Sequence, residues 1–159
     1  MRKLALLTIL SAALLLQGCG FHLRGKVELA PELASVYVDG PDPDLVADLE
    51  DALDFSGAEI VSSADVSTSV VLIDSRYERD VRTLDNRGIA TGYILRYNAR
   101  FGVLSPEGEK RFQSDIIRLR RNFDYDATQA LQKEVEEEFL KEDMREQIIQ
   151  RVMRQLSTL

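Results

Sequence analysis

Alternation of apolar and polar positions dominates the middle of the chain. Tyr93, Leu95, Tyr97, Ala99, Phe101 and Val103 share one parity, opposite Gly92, Ile94, Arg96, Asn98 and Arg100, which predicts a strand with one face in a core. A second long strand precedes it. Val71, Ile73, Ser75, Tyr77 and Val81 fall on one side, and Asp74, Arg76, Glu78, Asp80 and Arg82 on the other. Between the two, Asp85-Asn86-Arg87-Gly88 supplies a hairpin turn that displays Arg87 near its tip, because Asn and Gly tolerate the backbone angles such turns need. Ser105-Pro106-Glu107-Gly108 forms the next turn. The strand after it, through Phe112, Ser114 and Ile116, changes parity at Ile117 and Leu119, as a bulge near Ile116 would produce. Residues 70–121 therefore read as an antiparallel meander.

Helical periodicity flanks the meander. Leu45, Leu49 and Leu53 recur every four residues, with Asp42 as N-cap, Pro43 at the first helical position and Gly57 after the last turn. Ahead of that helix, Val36 and Val38 make a brief strand stopped by Gly40-Pro41; behind it, residues 58–61 form a short extended piece. Asp126-Ala127-Thr128-Gln129 is a capping box, and Met144, Ile148, Ile149, Val152 and Leu156 form the stripe of a last helix. Phe139 and Leu140 are out of phase with that stripe. Glu134 to Asp143 is thus read as a frayed acidic start or an inserted loop, with the firm helix from about Glu142. The order is β-α-β-β-β-α, an α+β fold.

The first residues belong to a different class of segment. Met1-Arg2-Lys3 is positive and Leu4 to Leu16 is an apolar run of 13 residues, the pattern of a secretory signal and short for a bilayer span. Leu16-Gln17-Gly18-Cys19 adds a small residue before the sole cysteine, the pattern of a bacterial lipoprotein signal. The thiol is the nucleophile that takes a diacylglycerol as a thioether, and cleavage before Cys19 frees its amine for an N-acyl chain. A buried hydrophobic cysteine, or an ordinary secretory signal, is the alternative. The organisation that follows is a signal peptide at 1–18, a lipidated tether at 19–34 and one domain at 35–159, since 141 residues suffice for one core.

Charge narrows the partners. The chain has 20 basic and 27 acidic residues, and this acidic balance argues against general nucleic-acid binding. Residues 75–121 run the other way, with 11 basic and 6 acidic side chains. They are either a local anion site or a solvated strand face with scattered arginines. For catalysis the chain offers little: His22 is the single histidine, Cys19 is consumed by lipid, and Glu136-Glu137-Glu138 reads as a solvated helix face. No catalytic residue, metal site or cofactor is assigned beyond the covalent lipid on Cys19.

Cys19-Gly20-Phe21-His22-Leu23-Arg24 resembles the start of the LptE family of lipopolysaccharide-assembly lipoproteins, also called rare lipoprotein B. Asn86-Arg87-Gly88 leading to Tyr93, Arg120-Arg121-Asn122-Phe123-Asp124, Ala130-Leu131-Gln132-Lys133 and Asp143-Met144 continue the likeness in order. The resemblance implies two helices packed on one face of a four-stranded, mostly antiparallel sheet, a two-layer sandwich. It also implies a non-catalytic outer-membrane lipoprotein that plugs the barrel of its partner LptD and binds lipopolysaccharide. Gly20 rather than Asp after the cysteine is similar to lipoproteins sent to the outer membrane. In the family a basic residue at the hairpin tip and a lysine before the last helix bind the ligand, which carries over to Arg87 or Asn86 and to Lys133. Arg120 and Arg121 supply further cations. A lipoprotein that activates a periplasmic cell-wall enzyme is the competing reading from another class, and a lipoprotein enzyme is a third.

Overall fold

The computed structural model describes residues 27–159, so the signal peptide, Cys19 and His22 lie outside the described residues. Its elements are β1 (Ser35–Asp39), α1 (Pro43–Phe55), β2 (Glu59–Ile60), β3 (Thr68–Leu84), β4 (Ala90–Leu104), β5 (Lys110–Gln113), β6 (Ile117–Asp124) and α2 (Ala130–Leu156). The α+β class and the two helices on one face of a sheet agree with expectation. The sheet has six strands rather than four, in the order β2-β1-β3-β4-β5, with β6 also on β4. The element order is accordingly β-α-β-β-β-β-β-α.

Two local effects explain the difference. Glu59 and Ile60 pair in parallel with Ser35 and Val36, so the short extended piece becomes an edge strand. The parity slip near Ile116 is a break between two strands. Ser114 turns inward and its hydroxyl accepts from the Phe101 amide at 3.0 Å, which ends β5 and lets β6 take over the edge of β4. β1 joins β3 in parallel, and the β3–β4 and β4–β6 pairs are antiparallel.

β3 corrects the predicted face. Val70 and Leu72 are buried, whereas Ile73 is 43% exposed, because the register shifts between Leu72 and Asp74. The irregularity flips the parity, so Ser75 and Tyr77 then point toward the helices as the alternation predicts. β4 needs no correction: Leu95, Tyr97, Ala99, Phe101 and Val103 are all buried. Leu45, Leu49 and Leu53 of α1 meet them with Met144, Ile148, Val152 and Leu156 of α2, in one core that also takes in Leu33 from the stretch read as tether.

Asp42 ties the helix layer to the sheet. Its carboxylate accepts from the Leu45 amide at 3.2 Å, capping α1, from the Ser75 hydroxyl at 3.0 Å on β3, and from the Tyr97 hydroxyl on β4. Burial on its own would raise the pKa of this carboxyl, but those donors and the Arg145 charge outweigh it and hold the value below the ordinary one. Arg145 in turn reaches Asp48 at 2.8 Å and Asp44 at 3.6 Å, joining α2 to α1.

Asp42→Ala removes the cap and leaves two hydroxyls without their acceptor, at a cost of about 2 kcal/mol in denaturant unfolding. Because the folded carboxyl titrates below its unfolded value, its contribution is present above about pH 4 and is lost as pH falls through the folded pKa. Acid titration of stability in the alanine variant should therefore lack that part of the wild-type slope.

Candidate functional site

The β3–β4 hairpin is longer than the core beneath it, and α2 is long enough to follow it. A helix of 27 residues spans roughly 40 Å, and its second half alone covers the core residues. The segment expected to fray or loop at 134–143 is continuous helix. Its first turns are held by side chains from the hairpin instead of by an apolar core.

Arg79 is the centre of that attachment. It projects from β3 toward α2, stacks its guanidinium 3.7 Å from the Tyr93 ring centre, and lies 5.3 Å from the Tyr125 ring and 5.9 Å from the Phe123 ring. Its Nη1 donates to Glu137 of α2 at 2.6 Å. The other Glu137 oxygen accepts from the Tyr77 hydroxyl at 2.9 Å, a bond that together with burial raises the Tyr77 pKa. Lys133 and Lys141 continue the pattern one turn either way, 5.6 Å from the Phe123 ring and 5.8 Å from the Tyr77 ring. Neither Arg79 nor Glu137 stood out in the sequence, since each looked like a member of a charged run.

The residues expected to share an anion site do not converge. Asn86 and Arg87 sit exposed at the hairpin tip. Asp85 organises the tip, accepting from the Arg87 and Ile89 amides at 2.8 Å each while Gly88 takes a positive φ of 80°. The same carboxylate binds the Arg87 guanidinium at 3.1 Å, and its pKa is lowered by the Ile89 amide and the other donors. Lys133 lies beside Phe123, whose partner Tyr93 on β4 is five residues along the chain from Gly88 of the tip, on the order of 15 Å, and Lys133 pairs with Glu136 at 2.8 Å. Arg121 points to the helix layer and meets Asp143 at 3.2 Å. Arg120, its neighbour, points to the opposite face of the sheet.

Away from the hairpin, α2 shows solvent a second apolar stripe. Leu131, Val135 and Phe139 recur every four residues and are 77%, 52% and 66% exposed. They lie on the side of the helix opposite Lys133, Glu137 and Lys141, which accounts for the phase conflict at Phe139 and Leu140: Phe139 belongs to the outer stripe and Leu140 to the inner one. At Phe139 the stripe enters a groove between α1 and α2 lined by Asp48, Asp51, Glu142, Asp143 and Glu146 around the single cation Arg145. A surface apolar along a line and acidic at one end is a binding surface more readily than a solvated one.

Comparison with known proteins gives this geometry a context. A model of the LptE family, described as lipopolysaccharide-assembly, matches residues 33–156. The chain belongs to the LptE family. LPS-assembly lipoprotein LptE of Photorhabdus laumondii is 31% identical over 151 residues, covering 93% of this chain and 82% of that protein. The protein of the same name from Yersinia pestis is 33% identical over 153 residues, covering 93% and 72%. Among solved structures, lipoprotein B from Nitrosomonas europaea superposes with a TM-score of 0.72 at 29% identity, over 87% of this chain and 91% of that one. Rare lipoprotein B from Shewanella oneidensis gives 0.64 at 26% identity, over 78% and 94%. As an LptE-family lipoprotein the chain takes part in lipopolysaccharide assembly. No helix among the described residues is long and apolar enough to cross a membrane.

Arg79→Gln keeps the bulk of the side chain and removes both the cation over Tyr93 and the pair with Glu137. Amide hydrogen exchange should then accelerate roughly tenfold across residues 130–139 and stay unchanged across 144–156, because only the first half of α2 depends on this attachment.

Proposed function

We propose that this LptE-family chain is a non-catalytic outer-membrane lipoprotein, anchored by lipid on Cys19, that serves as the plug and scaffold of the LptD barrel and binds lipopolysaccharide during its insertion. The observation that carries the reading is the exposed stripe of Leu131, Val135 and Phe139, held rigidly away from the core by the Arg79 attachment. A subunit enclosed by a barrel needs surface beyond what its own core uses, and α2 supplies such a surface along its first three turns. The barrel wall would cover the stripe, and basic side chains from the barrel would meet the acidic end of the groove.

Binding of lipopolysaccharide asks for cations beside apolar surface, because the ligand combines phosphates with acyl chains. Arg87 and Asn86 at the tip, Lys133 on the inner side of α2, and Arg120 and Arg121 on β6 are the basic and polar groups carried over for this role. Their separation in the fold means that they would act at different stages or on different parts of the ligand. Arg87 must leave Asp85, and Lys133 must leave Glu136, before either takes a phosphate.

Affinity purification of the tagged full chain from detergent-extracted outer membranes should recover a large barrel protein in stoichiometric amount. Leu131→Asp with Phe139→Asp, both at exposed positions that leave the core intact, should cut that recovery tenfold or more with an unchanged circular dichroism spectrum. Recovery of a cell-wall synthase with no barrel would contradict the reading.

A further inference from the structure

No element among the described residues packs on the face of the sheet turned away from the helices. Cross-strand register fixes what that face displays. Arg96 stands opposite Glu78 on one side and Arg120 on the other, Asn98 opposite Arg76 and Arg118, and Arg100 opposite Asp74. Carboxylates occupy part of this array: Arg96 pairs with Asp80, Arg76 with Glu78 at 3.2 Å, and Arg82 reaches across Gly92 to Asp124. That last crossing needs a glycine, because a Cβ on residue 92 would stand 2.5 Å from the Thr83 hydroxyl and 3.0 Å from the Arg82 guanidinium.

Arg100, Arg118 and Arg120 are different. None forms an ion pair with a described carboxylate, Asp74 included, whereas Arg76, Arg82 and Arg96 on the same face do. Arg118 and Arg120 alternate on β6, roughly 7 Å apart, and Arg100 is diagonal to Arg118 at about the same spacing. Arg100 sits where the edge of β4 passes from β6 to β5, and its Nε is buried with no hydrogen-bond partner among the described residues. A buried donor without an acceptor is costly, so Arg100 is stabilised by any rearrangement that brings its guanidinium to an acceptor.

Two further features select the acceptor. Ile73, partly exposed at the β3 irregularity, lies over Gly102 on this same face, two positions along β4 from Arg100, so an apolar side chain borders the cations. On the scale of the molecule the two layers are oppositely charged: α1 and α2 carry 12 acidic and 5 basic residues, while the six strands carry 10 basic and 6 acidic. An anion is directed to the sheet and away from the helices.

We infer that the open sheet face, centred on Arg100, Arg118 and Arg120, binds the phosphate groups of the lipopolysaccharide lipid moiety, with Ile73 against its apolar part. The inference rests on the lipopolysaccharide reading above and puts phosphate on the side of the sheet opposite Lys133, Arg121 and α2. Guanidinium forks suit phosphate oxygens, and Arg100 carries a donor that no described residue uses, which a turn of its side chain would present to phosphate.

The test titrates the full chain in detergent with bisphosphorylated, monophosphorylated and phosphate-free lipid A. Wild type should bind the bisphosphorylated form most tightly, and Arg118→Gln or Arg120→Gln should each weaken it roughly tenfold while leaving the phosphate-free form unaffected. Arg100→Gln should do the same; the other two positions are exposed, so their variants keep the test valid if Arg100→Gln fails to fold. Arg151→Gln with Arg154→Gln, on α2, should change nothing. Full affinity for bisphosphorylated lipid A in the Arg118 and Arg120 variants overturns the inference and leaves the lipopolysaccharide reading standing. Loss of barrel recovery in those variants with lipid A binding intact assigns the face to a protein partner and also overturns it. Wild type that binds no form of lipid A refutes the lipopolysaccharide reading itself.

Discussion

A hairpin that outruns its core must be held by something other than buried hydrocarbon, and here Arg79 does it. One guanidinium stacks on Tyr93, borders Tyr125 and Phe123, and binds Glu137, so β3, β4, β6 and α2 are joined by a single cation. Remove that cation and the first turns of α2 lose their main hold on the hairpin, since their inner face is Lys133, Glu137 and Lys141 and, of their large apolar residues, Leu140 alone is partly buried. The attachment is therefore what allows Leu131, Val135 and Phe139 to remain both ordered and exposed. Cation–π contacts in a partly desolvated site contribute about 1–2 kcal/mol each, enough to hold a helix end without making it part of the core.

The two layers divide the work. Helices α1 and α2 bear the acidic surplus and the apolar stripe, which are suited to a protein surface; the sheet bears the basic surplus and faces outward. A small domain with both faces of its sheet buried would have no room for this division. Leaving one face free costs apolar burial, and the β4 side chains compensate by filling the helix side completely, with Leu95, Tyr97, Ala99, Phe101 and Val103 all inaccessible.

Periodicity made much of this legible before any fold was known. The β4 alternation and the α1 stripe with its Asp42 cap needed no correction, because regular elements built on one buried face leave a clean signal. What stayed hidden were events between elements. The irregularity at Ile73 exchanged the two faces of β3, and the inward Ser114 split one strand into two; a single parity count averages over both. The acidic start of α2 looked irregular for a related reason, since it has an apolar stripe on the outside and charged partners on the inside. Candidate binding residues fared least well. Arg120 and Arg121 are adjacent in the chain and point to opposite faces, Lys133 and Arg87 are already engaged by neighbouring carboxylates, and Arg100 gave no sign of its unpartnered nitrogen.

The most direct test of two faces with two occupants is photo-crosslinking in living cells, with a photoreactive amino acid placed in turn at positions 118, 120, 131 and 139 of the full chain. Adducts with lipopolysaccharide at 118 and 120, and with the barrel protein at 131 and 139, are the predicted result. Barrel adducts at all four positions, or lipopolysaccharide adducts confined to the helix stripe, would contradict the account.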